Sequence, residues 1–159
     1  MSEGEHYSPD ENLETLDYHA IQKTRHTLDI CMYSFTDIRL ARAVLDAAHR
    51  GVEVKLYRDG EEYEQEQKRA GVYGSTTNLF RGQSNIHIRV KPPSTTGLMH
   101  TKSYVSDGSL LRDGSANWSP AGEIRQDNQL RFSTDRTEIE RFERNFQRLW
   151  NRPTNIVVQ

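Results

Sequence analysis

The chain holds a single cysteine, Cys31, so an intrachain disulfide is impossible and a cysteine-rich zinc site is excluded by arithmetic. Long apolar runs are missing too, and none approaches the roughly 18 residues that a membrane-spanning helix needs. The acidic, polar stretch from Met1 to Asn12 has neither the positive start nor the apolar middle of a signal peptide, which leaves the compartment open and the protein expected to be soluble. There are no internal repeats and no low-complexity tracts. With 34% hydrophobic and 28% charged residues in 159, the composition is polar yet short of the disordered class. One domain over residues 1–159 is expected, with a polar N-terminal tail and a core at about 7–150.

The net charge of −2 conceals an asymmetry. Residues 1–70 carry 9 Lys and Arg against 15 Asp and Glu, whereas residues 71–131 carry 7 against 4. The basic part holds the motif described below.

Periodicity sets the elements. The bulky stretch Leu28 to Phe35 reads as a buried strand with an inert Cys31 inside it. Ile38, Ala41, Val44, Leu45 and Ala48 recur at helical spacing, closed by Gly51, and Val52, Val54 and Leu56 then alternate as a strand. Strand, helix and strand make a parallel βαβ unit. Residues 60–70 are polar enough to be an exposed helix or a loop, and 71–84 a long surface connection. Further strands are expected at Ile86 to Lys91, His100 to Ser106, Ser109 to Asp113 and Asn128 to Ser133. Helices are expected at about Asn12 to Thr24 and, after the capping pair Asp135 and Glu138, along the stripe Ile139, Phe142, Phe146, Leu149 and Trp150. The sum is an α/β fold, a mixed sheet flanked by helices on both faces, of a kind that binds ligands at strand ends.

Chemistry concentrates between residues 99 and 119. His100 and Lys102 are two apart on an expected strand, so one face presents an imidazole and a fixed cation. An imidazole can attack or protonate near neutral pH, and an ammonium neutralises phosphate oxygens. Ser115 and Asn117 add donors two apart, and Gly114 lets the backbone turn or approach a substrate closely.

This spacing resembles the phospholipase D superfamily motif His-x-Lys-x4-Asp-x6-Gly-Ser-x-Asn, every fixed position being filled by His100, Lys102, Asp107, Gly114, Ser115 and Asn117. Tyr33-Ser34-Phe35, the run from Arg50 to Val54 and Asp127-Asn128 resemble the small single-motif bacterial members as well. The resemblance implies an α-β-α sandwich and a metal-independent phosphodiesterase with no cofactor. In it one histidine attacks phosphorus to give a phosphohistidine, and a second protonates the leaving oxygen. One copy of the motif supplies one such histidine, so a homodimer is implied, with His87 the best alternative second imidazole within the chain. An acidic residue beyond the Gly-Ser-x-Asn element is expected to orient His100. Asp127 fits that place, apparently one residue out of register, and Glu123 is the other candidate. Asp107 is expected as a structural acceptor near a turn or the dimer interface, and Trp118 either stacks on a base or packs.

The substrate is read from charge. His87, Arg89 and Lys91 share a strand face upstream of the motif and, with Arg81, form a basic ridge suited to a nucleic-acid backbone. An endonuclease is the favoured reading. A phospholipase D or phosphatidyltransferase acting on lipid is the alternative, although no amphipathic segment points to stable membrane association. A catalytically silent nucleic-acid-binding dimer is the third possibility.

Overall fold

The computed structural model describes residues 3–70, 75–93 and 97–158. Residues 71–74 of the expected surface connection lie outside them. Among the described residues one mixed sheet of eight strands runs in the order β1-β7-β6-β5-β2-β3-β4-β8. These are β1 (Gly4–Ser8), β2 (Thr27–Met32), β3 (Glu53–Asp59), β4 (Ile86–Lys91), β5 (Lys102–Ser106), β6 (Leu110–Gly114), β7 (Asn128–Ser133) and β8 (Ile156–Val157). The helices are α1 (Leu13–Lys23), α2 (Ile38–His49), α3 (Gly60–Ala70) and α4 (Arg136–Trp150).

The βαβ expectation holds: β2 and β3 are parallel, α2 joins them, and β4 extends the parallel set. Asp37 caps α2 by accepting from the Leu40 N–H at 3.1 Å, and Gly51 ends it with φ 97°. Leu40, Ala41, Val44 and Ala48 face Leu28, Ile30, Val54, Leu56, Ile86 and Ile88 in the larger core, on the face that α1 also covers. Each large aliphatic side chain so buried contributes about 1.5–3 kcal/mol. On the opposite face α4 packs Phe146, Leu149 and Trp150 over Cys31, Tyr57 and Met99. Burial and the neighbouring Asp29 and Glu143 push the Cys31 thiol up to about 12, so it is inert as expected.

Four differences from the sequence reading have local causes. The first predicted strand stops at Met32, because Tyr33, Ser34 and Phe35 leave the ladder to bond other segments. The motif strand begins at Lys102, which leaves His100 in the segment before it. The polar stretch 60–70 is an ordered helix: Glu61 and Glu62 suit its first turn, Lys68 and Arg69 its last, and Glu66 is buried rather than solvated. The edge strands β1 and β8 were not anticipated, since β1 is polar and β8 has two residues.

Topology gathers the motif. β2, β3 and β4 are parallel, so their carboxyl ends lie at one sheet edge. The antiparallel strand β5 starts at that edge, β6 returns to it at Gly114, and β7 leaves from it at Asn128. Both halves of the motif therefore share an edge with Tyr33, Asp59 and Lys91.

Candidate active site

His100 and Lys102 do converge, although only one of them is in the strand. The Lys102 Nζ lies 2.7 Å from His100 Nδ1 and 3.2 Å from Nε2. An ammonium can only donate, so the imidazole nitrogen accepts. The Tyr33 ring packs against the imidazole with centroids 4.6 Å apart and forms a second wall, 5.6 Å from Nζ. His100 is exposed, whereas Lys102 is buried. Burial first, then the Lys102 charge, hold the imidazole below its ordinary pKa, while the Asp59 carboxylate pulls it the other way. Desolvation lowers Lys102 as well. The result is an imidazole biased toward its neutral form beside a cation.

Hydrogen bonds explain why the halves of the motif meet. Tyr33 N–H donates to the Thr101 carbonyl at 3.1 Å, and Ser34 N–H to Asn117 Oδ1 at 3.0 Å. The Trp118 carbonyl accepts from Thr36 and Asp37, and Arg58 donates to the carbonyls of Met32 and Tyr33. Arg58 is paired in turn with Glu66, which accepts the Phe35 N–H at 2.6 Å. The segment Tyr33-Ser34-Phe35 thus ties the histidine half to the asparagine half.

A second clamp lies beneath. Arg112, fully buried, donates to the Lys102 carbonyl at 2.8 Å and to the Ala116 carbonyl at 3.0 Å. Its charge is balanced by Asp17 at 2.8 Å and Glu123 at 2.9 Å. Burial and the nearby Asp17 push the Glu123 carboxyl well above the usual range, while the Arg112 charge pulls it back.

Asp107 sits at φ 55° in the turn after β5 and accepts from the backbone N–H groups of Arg25, His26 and Thr27 at 2.9, 2.6 and 3.0 Å. Those bonds hold it below the usual carboxylate range against the opposing effect of burial, and its role is structural. At Gly114, with φ 143°, a Cβ would collide with the Gln129 carbonyl, so the glycine allows approach to β7 rather than to a substrate. Ser115 Oγ donates to Asn128 Oδ1 and accepts the Gln129 N–H, both at 2.9 Å.

Several expectations need correction. Trp118 cannot stack on a base: it is fully buried, donates from its indole to Asp17 at 3.1 Å, and packs edge-on against Phe35 at 4.9 Å. Glu123 cannot orient His100, because Arg112 takes it into the interior. Asp127 is exposed beside an open cleft of about 380 Å³ that Tyr7, Ser115, Asn128 and Gln129 also line, and among the described residues the hydrogen-bond partner of His100 is Lys102 instead. The basic ridge is divided. His87, at the far end of β4, meets Glu53 at 3.2 Å and so stands away from His100. Arg89 lies over the Trp150 ring at 4.5 Å and donates to its carbonyl at 2.7 Å, and Lys91 donates to the Gly97 carbonyl at 2.6 Å. Arg81 is exposed after a 3₁₀ turn.

Sequence reasoning overlooked Arg58, Asp59, Glu66, Asp17 and Arg112 as supports of the site. The one available signal was charge where the pattern called for apolar residues, as at Arg112 within β6.

An eight-stranded mixed sheet with a His-Lys and Gly-Ser-x-Asn pair at one edge defines a phospholipase D-like fold and site. The family model described as Cardiolipin synthase, PLD-like domain, matches residues 18–150, and the chain belongs to that family. It is 29% identical over 136 residues to the mitochondrial cardiolipin hydrolase of Chlamydomonas reinhardtii, covering 86% of this chain and only 56% of that relative. Among solved structures, NucT from Helicobacter pylori superposes with a TM-score of 0.84 at 22% identity, covering 98% of each chain. Nuc from Salmonella typhimurium, a phospholipase D family member, gives 0.77 at 22% identity, over 99% of this chain and 98% of its own. These two likenesses are of fold.

Proposed function

We propose that this chain is a metal-independent phosphodiesterase that cleaves a nucleic-acid backbone through a phosphohistidine on His100, in a site completed by a second copy. The observation that carries the reading is the contact of Lys102 with His100 at 2.7 Å, at the sheet edge where Asn117 also lies. A neutral imidazole lone pair attacks phosphorus, the P–O bond to the leaving group breaks, and a second imidazole delivers a proton to the departing oxygen. Water then attacks the phosphohistidine, losing a proton to that second imidazole, and releases His100. Lys102 turns its donors from the imidazole to the phosphate oxygens and the Asn117 amide N–H groups add to them, so the charge is balanced by the protein's own groups.

Two features support a second chain. Among the described residues the site presents one imidazole where the proposed reaction needs two, and His100 is exposed in the single chain, open to a symmetry mate. Nucleic acid is favoured by the open cleft beside Ser115, with Tyr7 53% exposed on its rim, and by the exposed Arg81. The likeness to a cardiolipin hydrolase favours a lipid phosphodiester as a second reading.

The test is a substrate panel in excess chelator, with wild type and His100→Ala side by side: plasmid and single-stranded nucleic acid against headgroup release from cardiolipin vesicles. Nicking that depends on His100 supports the nuclease, headgroup release in its place supports the lipid reading, and a mobility shift without cleavage identifies a silent binder. Cleavage that magnesium alone restores contradicts the mechanism.

A further inference from the structure

Among the described residues neither Asp127 nor Glu123 hydrogen-bonds the His100 ring, whose bonded partner is Lys102. A different carboxylate bonds the peptide beside it. Asp59 ends β3, one of the parallel strands whose carboxyl ends line the site edge, and it is only 3% exposed. One of its oxygens accepts the Met99 N–H at 2.8 Å, in the peptide immediately before His100, and the other accepts the Glu62 N–H at 3.1 Å at the start of α3. Next to it Gly60 packs so closely on the Lys91 carbonyl and Pro93 that a Cβ would collide with both.

We propose that Asp59 is the positioning residue of the catalytic imidazole: it anchors the backbone beside His100 and supplies the buried negative charge that stabilises the imidazole as it becomes cationic. The inference rests on the reading of His100 as nucleophile and adds to it a residue outside the motif.

The charge balance around the imidazole supports this role. Lys102 from β5 and burial oppose a positive His100, and Asp59 from β3 favours it. Tyr33, after β2, faces the ring as a phenol that burial, Glu62 and Asp59 keep in its neutral form. Asp59 is thus a buried anionic group acting on His100 from the neighbouring strand, and phosphorylation or protonation of the ring develops the charge that it complements.

Two variants separate positioning from helix capping. Asp59→Asn keeps the size and removes the charge, whereas Asp59→Ser keeps a hydroxyl able to cap α3 but is too short to hold Met99. In both, the titration midpoint of the His100 ring, followed by NMR, moves to lower pH, and the acid limb of kcat/KM moves with it. The turnover number falls on the order of 10-fold to 100-fold as the near-attack geometry loosens. Folded variants whose ring titration and acid limb coincide with wild type overturn the inference. The NMR midpoint needs no catalysis, so it judges Asp59 even if full cleavage by His100→Ala were to reject the nucleophile assignment.

Discussion

Arg112 donates from one guanidinium to the main-chain carbonyl of Lys102 at 2.8 Å, ten residues earlier in the chain, while its charge is held by Asp17 and Glu123. A buried cation that ties the backbone under a reactive lysine to the backbone before Asn117 couples stability to site geometry. Arg112→Met leaves Asp17 buried without its counter-charge and is expected to cost about 3–5 kcal/mol of stability by urea unfolding. Arg112→Met combined with Asp17→Asn recovers a substantial part of that loss. Equal stability of the single and double variants would refute the ion-pair account.

Lys102 has the opposite balance. Its ammonium is buried with the imidazole as its bonded partner among the described residues, so desolvation is not offset by a carboxylate. Lys102→Met is therefore expected to be at least as stable as wild type in thermal unfolding, while turnover falls roughly 10²- to 10³-fold from loss of one donor to the developing charge. A clearly destabilised Lys102→Met would show that the lysine serves the fold instead.

A carboxyl pair beneath α4 sets a pH dependence. Burial, followed by Asp29, raises Glu143 to about 8, and burial raises Asp29. A group whose folded pKa lies above its unfolded value binds more protons when folded, so its contribution is full below the unfolded value and is lost as pH rises to the folded one. Unfolding free energy should fall between the ordinary carboxyl range and about pH 8, then level off. Glu143→Gln should flatten that fall and exceed wild type in stability above it. A wild-type profile with no decline across this window contradicts the pairing.

Gly114 tests the join between β6 and β7. With φ 143° and no space for a Cβ beside Gln129, Gly114→Ala should lose about 1–3 kcal/mol from strain alone and more from displacing β7. Thermal unfolding measures it. A neutral substitution would mean that the strand pair adapts freely.

Legibility followed the physics of each element. α2 and α4 could be read because apolar residues at helical spacing need a core, and their caps Asp37 and Asp135 accept the N–H bonds that such residues ordinarily do. The motif was legible because fixed spacing survives without a structure. Long-range bonds were not: the clamps of Arg112 on Lys102 and of Arg58 on Glu66 depend on strand order that local periodicity does not encode. The same limit left Trp118 open between stacking and packing, since its environment is set by Asp17 and Phe35 far away in the chain, and it misassigned the β4 ridge, whose Arg89 is taken by Trp150. Asp59 escaped notice because a polar strand end looks like a turn until Met99 is seen to bond to it.

In the proposed shared site each active centre uses His100 from two chains, and co-refolding wild type with His100→Ala in varied ratios measures whether it does. If one site needs two intact imidazoles, activity follows the square of the wild-type fraction, so an equal mixture retains about one quarter of full activity. A linear dependence, with about one half retained at equal mixture, would show that each chain acts alone and would contradict the shared site.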